Sequence, residues 1–259
     1  MKILGVIPAR MAASRFPGKP MAMIAGIPMI GHCYLRSRYC ELIDELYVAT
    51  CDTEIADYIN SIDGKAVMTS DVHERASERT AEALLNVEQI LSTQFDIVVM
   101  LQGDEPLVDP KMLEEAILPL LKGDKSVSNL MSVMQTDQER NDPNNVKVVV
   151  DIFGDALYMS RENIPSVKKS KERFPVYRQL GLIAFTREAL LKFVALPMTP
   201  LERIESVDMN RFLENRVPIH MELTGFEADA VDTPEDLRRV EEKMKRDQFF
   251  INNYASYAR

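Results

Sequence analysis

Three cations, Arg10, Arg15 and Lys19, stand within ten residues of one another in the string IPARMAASRFPGKP, from Ile7 to Pro20. Pro8, Pro17, Gly18 and Pro20 forbid a helix here and leave a stiff loop directly after a short apolar run, Lys2 to Ile7. Open α/β sheets bind ligands outside the carboxyl ends of their strands, so a basic loop after a first strand offers a grip on phosphates, a triphosphate above all. Neither familiar phosphate loop is present. No two of the ten glycines are placed to make G-x-G-x-x-G, and Gly18-Lys19 is followed by Pro20 rather than Ser or Thr, which excludes a Walker A loop. Taken alone, such a stretch reads equally as a solvated basic turn.

A carboxylate is expected beside it. Asp104 follows the run Asp96 to Leu101 through Gln102 and Gly103. That continuous apolar run suits a parallel strand buried on both faces, so Asp104 should emerge at the sheet edge that carries the basic loop. A carboxylate in that position suits Mg²⁺, which is commonly held by one or two carboxylates plus substrate phosphates.

The elements that must position these groups alternate. Glu45 to Thr50 and Lys65 to Thr69 read as strands, and Met29 to Arg38, Glu54 to Ile62 and Thr80 to Leu91 as helices. Strand, helix, strand, helix predicts an α/β fold with a doubly wound, mostly parallel sheet. The middle of the chain breaks the rhythm. Val146 to Asp151 and Ala156 to Ser160 flank a Gly154-Asp155 turn, and a Lys-rich loop, Lys168 to Arg173, precedes a strand over Gln179 to Phe185. We read an inserted, smaller, β-rich and mostly antiparallel lobe at about 130–225, inside one domain of residues 1–259. Glu188 to Val194 and Leu201 to Asn215 read as helices and Ile219 to Leu223 as a strand. Thr233 to Lys245 reads as a helix opened by Thr233 as N-cap, Pro234 and two acidic residues. Asp247 to Arg259 suggests no role.

Composition narrows the classes. A chain of 259 residues with 46% hydrophobic content can bury one sizeable core, and a net charge of −9 argues against a general nucleic-acid binder. No apolar run approaches the roughly 18 residues of a membrane helix, and the N-terminal run is too short for a signal peptide, so a cytoplasmic protein without membrane contact is expected. Cys33, Cys40 and Cys51 contain no C-x-x-C, which points to reduced thiols rather than a disulfide framework or zinc site. His32, His73 and His220 are scattered singly.

The motifs together carry a resemblance. IPAR, SRFPGKP, AGIPMI (Ala25 to Ile30), YVAT (Tyr47 to Thr50), LQGDEP (Leu101 to Pro106), NNVKVVVD (Asn144 to Asp151), SRENIP (Ser160 to Pro165), LERIES (Leu201 to Ser206) and VDTPEDL (Val231 to Leu237) occur in this order. They resemble the cytidylyltransferases that activate 3-deoxy-manno-octulosonate (Kdo), from Met1 to about Lys245. The resemblance implies transfer of CMP from CTP to the sugar's anomeric hydroxyl with loss of pyrophosphate, for lipopolysaccharide biosynthesis, in a homodimer. It implies catalytic roles for Arg10, Lys19, Asp104 and Asp232, with Asp104 and Asp232 as the Mg²⁺ ligands. CTP is expected at Pro8, Ala9, Arg10, Arg15, Lys19, Arg79, Gln102 and Asp104. The sugar acid is expected at Gln102, Arg75, Arg161, Gln179, Glu205 and Asp208, with Arg161 suited to grip its carboxylate bidentately.

Departures from the family pattern gather on the sugar side. Where the Kdo enzymes usually carry H-x-S-G-T-D-R this chain has His73-Glu74-Arg75-Ala76-Ser77-Glu78-Arg79; Arg-His has become Arg178-Gln179, and Glu-Gln has become Asp208-Met209. Change confined to one half of a site implies the same reaction on a different sugar, and the 8-amino-3,8-dideoxy analogue of Kdo is the variant that fits. The alternatives are a sialic-acid-type cytidylyltransferase, a nucleotide-sugar glycosyltransferase and a non-catalytic nucleotide-binding protein. A glycosyltransferase would normally show D-x-D, whereas Asp229 to Asp232 reads D-A-V-D.

Overall fold

The structure is a computed structural model that describes residues 1–12, 16–166, 168–169 and 174–258. The chain divides into two compact units, Met1–Glu114 with Ala228–Arg259, and Glu115–Glu227. The second begins earlier in the chain than the lobe expected from about residue 130.

In the first unit β1 (Ile3–Pro8) is buried along its whole length, and a small hairpin, β2 (Met23–Ile24) and β3 (Ile27–Pro28), leads into α1 (Met29–Ser37). There follow β4 (Glu45–Thr50), α2 (Thr53–Ser61), β5 (Ala66–Met68), α3 (Ala76–Leu91), β6 (Ile97–Leu101) and the start of α4 (Pro110–Leu121). The four longer strands are parallel in the order β6-β1-β4-β5. Sequence order therefore reverses at β1, with β4 on one side and β6 on the other. The loops after β1 and β6 open at that reversal, the place where doubly wound sheets hold ligands. Every residue of β6 is buried, as its unbroken apolar composition requires of a strand covered on both faces.

The second unit is built on β7 (Val127–Val133), which pairs antiparallel with β10 (Tyr177–Thr186) and parallel with β11 (His220–Leu223). The hairpin β8 (Lys147–Val150) and β9 (Ala156–Ser160) joins β10 through β8. Helices α5 (Asp137–Asn141), α6 (Arg187–Ala195), α7 (Pro200–Glu205) and α8 (Asn210–Glu214) complete it. The single helix expected over Leu201 to Asn215 is thus two short ones. Ser206 adopts a left-handed conformation (φ 51°) at the end of α7, which no continuous helix passes through. Much of the Lys-rich stretch from 168 to 173 lies outside the described residues.

The chain returns to the first unit as α9 (Pro234–Met244) and α10 (Gln248–Asn253). The tail has a clear structural role. Asp247 pairs with Arg36 of α1, the Arg36 guanidinium stacks 4.6 Å from the Phe249 ring centroid, and Phe250 and Tyr254 are buried. Beneath them His32 is fully buried. Its Nε2 lies 2.8 Å from the Ile24 carbonyl, which can only accept, so Nδ1 must take the Tyr254 hydroxyl at 3.1 Å. Burial pulls the His32 pKa down to about 4 and keeps the ring neutral. Among the described residues no helix is long and apolar enough to cross a membrane.

Candidate active site

The site is assembled in the first unit from three distant pieces of chain. The basic loop starts where Ala9 N–H donates to the Ala49 carbonyl (2.9 Å), and Met11 N–H donates to Asp52 Oδ2 (2.8 Å). Asp52 opens α2 but commits its carboxylate to the loop rather than to its own helix. Gly18, in the left-handed region (φ 72°), then turns the chain into a 3-10 turn over Lys19–Met21, a backbone that a side chain would strain. From the other side of β1, Gly103 follows β6 so closely that a Cβ there would lie 3.1 Å from the Pro8 carbonyl. That missing side chain lets the Asp104 loop lie against the basic loop. Val231 N–H donates to the Asp104 carbonyl (2.9 Å), which brings in the third piece. A capping box between Thr233 and Asp236 fixes the start of α9 directly after Asp232.

The charges converge on Lys19. Its Nζ lies 2.7 Å from Asp104 Oδ2 and 3.3 Å from Asp232 Oδ1, with 14% of the lysine side chain exposed. Burial works to lower the Lys19 pKa, but the charge and hydrogen bond of Asp104, then those of Asp232, outweigh it and the net shift is upward. The ammonium therefore stays charged at neutral pH. A cavity of about 300 Å³ opens here, lined among others by Pro8, Ala9, Arg10, Phe16, Lys19, Ala76, Gln102, Gly103, Asp104 and Asp232.

Of the residues expected to meet CTP, Pro8, Ala9, Arg10, Lys19, Gln102 and Asp104 line this cavity, and Asp232 joins them. Arg15 lies outside the described residues. Arg79 is placed differently. It is buried, and its guanidinium donates to Thr69 Oγ1 (2.5 Å) and to the carbonyls of Ser70 (3.1 Å) and His73 (3.4 Å). It braces the loop between β5 and α3. Arg10 Nη1 also donates to the His73 carbonyl (3.3 Å), and Glu82 accepts from the Ser70 N–H and the His73 ring. Arg75 is half-buried at the N-cap of α3.

The remaining residues expected on the sugar side, Arg161, Gln179, Glu205 and Asp208, belong to the second unit. Glu205 accepts from the Tyr158 hydroxyl (2.7 Å), the Ser160 hydroxyl (2.8 Å) and the Arg161 N–H (2.8 Å). Burial alone would raise its pKa, and these hydrogen bonds outweigh burial and lower it. The Arg161 guanidinium donates to the carbonyls of Glu205 (2.7 Å), Pro143 (2.8 Å) and Ser206 (3.1 Å), which uses three of its five N–H donors. Buried Lys147 donates to the Asp142 and Arg161 carbonyls, each at 2.8 Å. Gln179 Nε2 donates to Asn129 Oδ1 (2.7 Å). Asp208 is half-buried just before α8.

Sequence reasoning missed Asp52, Gly103, Glu82 and Asn129. Asp52, Gly103 and Asn129 act on segments distant in sequence, and Glu82 on a loop 9 to 12 residues before it, so no local pattern announces them. The chemistry of the donors also bears on a metal. Asp104 and Asp232 are hard oxygen donors, and among the described residues no group of three His, Cys, Asp or Glu side chains could hold an ion. Two carboxylates that already share one cation, the Lys19 ammonium, are the hard donors Mg²⁺ takes, and the metal would draw its other ligands from phosphates and water.

Known proteins bear on this arrangement. The family described as Cytidylyltransferase matches residues 4–221. A 3-deoxy-manno-octulosonate cytidylyltransferase of Geobacter metallireducens is 40% identical over 96% of this chain and all of that protein. An 8-amino-3,8-dideoxy-manno-octulosonate cytidylyltransferase of Shewanella piezotolerans is 38% identical over 95% of this chain and all of that protein. Among solved structures, a CMP:2-keto-3-deoxy-manno-octonic acid synthetase complexed with CTP superposes with a TM-score of 0.86 at 32% identity, over 95% of this chain and 99% of that one. Its match supports the mostly parallel α/β architecture as well. The chain belongs to the cytidylyltransferase family.

Proposed function

We propose that this protein transfers CMP from CTP to the anomeric hydroxyl of a 3-deoxy-octulosonate sugar acid, Kdo or its 8-amino-3,8-dideoxy analogue, and releases pyrophosphate. One observation carries the reading: the Lys19 ammonium sits between Asp104 and Asp232 in a cavity walled by the basic loop. In this reaction the sugar oxygen bonds to the α-phosphorus as the bond to the β-phosphate oxygen breaks, and the hydroxyl proton is released. Such transfer asks a protein mainly for position and charge. Lys19 and Arg10 hold the phosphates and stabilise the departing pyrophosphate. Asp104 and Asp232 hold Mg²⁺, which when bound supplies positive charge at the phosphates and Lewis acidity.

In the second unit the sugar is selected by Arg161, Gln179, Glu205 and Asp208. The altered pairs Arg178-Gln179 and Asp208-Met209, in a chain whose nucleotide motifs are intact, favour the amino sugar. We also assign the protein to the cytoplasm and to a homodimer, for which the exposed Ile152, Phe153, Leu157 and Ile204 of the second unit supply apolar surface. Pyrophosphate release with CTP, Mg²⁺ and a panel of sugar acids tests the function. Release with Kdo or 8-amino-Kdo is expected, with the higher kcat/KM on the amino sugar. Release with sialic acid alone would move the chain to another branch, and none with any sugar acid would leave a nucleotide-binding protein.

A further inference from the structure

Strand β10 carries a bulge beside Gln179. Gln179 pairs with Met131 and Ile183 with Asn129, so Leu180, Gly181 and Leu182 stand opposite Leu130 alone. Extra residues leave backbone groups without ladder partners, and in a buried setting these groups need another partner. Asn129 supplies it. Fully buried on β7, its Nδ2 donates to the carbonyls of Leu180 (2.8 Å), Leu182 (3.0 Å) and Leu130 (3.2 Å).

This settles the orientation of two amides. Carbonyl oxygens only accept, so the group of Asn129 that faces them is its NH₂ and the opposite group is its oxygen. Asn129 Oδ1 in turn accepts from the neighbouring Gln179 amide at 2.7 Å, so Gln179 turns its Nε2 toward Asn129. Flipping Gln179 would set two oxygens 2.7 Å apart, and flipping Asn129 would set its oxygen against three carbonyls. The half-buried Gln179 therefore presents Oε1 elsewhere, and among the described residues nothing donates to it.

We propose that Asn129 is a positioning residue that locks Gln179 as a hydrogen-bond acceptor, so that position 179 selects a sugar acid bearing a donor, a hydroxyl or an ammonium, at its terminal carbon. The inference rests on the reading that Gln179 meets the sugar, and it takes C8 as the point of contact because that is where the two proposed substrates differ. An acceptor fixed by a buried network discriminates more sharply than one free to rotate, because a substrate without the donor leaves it unpaired.

The test compares kcat/KM for four sugar acids that differ only at C8, carrying hydroxyl, amine, fluorine or hydrogen, on the wild type, Gln179→Ala, Asn129→Ala and the double variant. For the wild type, hydroxyl and amine should exceed fluorine and hydrogen by roughly tenfold or more, with fluorine no better than hydrogen because it accepts but cannot donate. Gln179→Ala should erase that difference. Asn129→Ala should shrink it and have no further effect on it in the Gln179→Ala background, while KM for CTP stays within about twofold in every variant. A fluoro sugar clearly better than the deoxy sugar would show that the amide presents N–H and would overturn the inference. So would an Asn129→Ala loss that is the same in both backgrounds, or a Gln179→Ala loss equal for all four sugars. No effect of Gln179→Ala on any sugar would instead remove Gln179 from the sugar side and defeat the reading beneath the inference. Should Asn129→Ala fail to fold, the fluoro-against-deoxy comparison on the wild type decides the orientation by itself.

Discussion

The Lys19 cluster and the cluster of Arg161 with Glu205 hold their charged groups in opposite ways. In the first, Lys19, Asp104 and Asp232 come from segments up to 213 residues apart and bind one another at the wall of a cavity. In the second, Arg161 and Glu205 are engaged by backbone carbonyls, an N–H and neighbouring hydroxyls. An ammonium shared by two carboxylates can pass to a phosphate while the carboxylates take up a metal ion at modest cost, since each group gains a new ionic partner for the one given up. A guanidinium that holds three carbonyls is a brace first, and whatever it recognises meets a fixed shape. The comparison separates a region built to trade partners from a region built to keep them.

Removing the tradable cation should give the largest effect. Lys19→Met is expected to lower kcat/KM for CTP about 10³-fold, about 4 kcal/mol of transition-state stabilisation, with little change in thermal stability. A fall in stability with unchanged kinetics would make Lys19 a structural residue and erase the contrast. In the second unit the order should reverse. Glu205→Gln places an amide NH₂ among three donors and is expected to cost about 2 kcal/mol of stability, read by urea denaturation, and to raise KM for the sugar rather than for CTP.

The smallest effect on catalysis should come from a residue that belongs to neither set. His32 has a folded pKa lowered to about 4 against 6.5 when unfolded, so the unfolded chain binds more protons between those values. Its contribution is therefore complete above about pH 6.5 and is lost as pH falls toward 4, at most about 3 kcal/mol. His32→Gln should flatten that part of the stability profile and leave KM for CTP unchanged at about pH 7.5.

The contrast also explains what the sequence made legible. Asp104 could be placed because a continuous apolar strand leads to it, and the loop of Arg10 and Lys19 because prolines and glycine punctuate it. Asp232 lies far along the chain from β1 and was readable only through the resemblance. A backbone hydrogen bond from Val231 N–H to the Asp104 carbonyl ties its segment to the Asp104 loop. Strand β7 went unread because Ser128, Asn129 and Ser132 give it a loop-like composition, yet all three are buried. Asn129 shows why, since its polarity serves a bulge on another strand. The tail was opaque for the same reason. Phe250 and Tyr254 look like scattered aromatics until α1 offers His32 and Arg36 to pack against.

The central claim is that Asp104 and Asp232 act together on one CTP through Mg²⁺. The most direct test measures pyrophosphate release by Asp104→Asn and Asp232→Asn with saturating CTP, Mg²⁺ and sugar acid, alongside circular dichroism. Each variant should keep the wild-type spectrum and lose at least about 10³-fold in kcat. Turnover within about tenfold of wild type in either correctly folded variant would contradict the account.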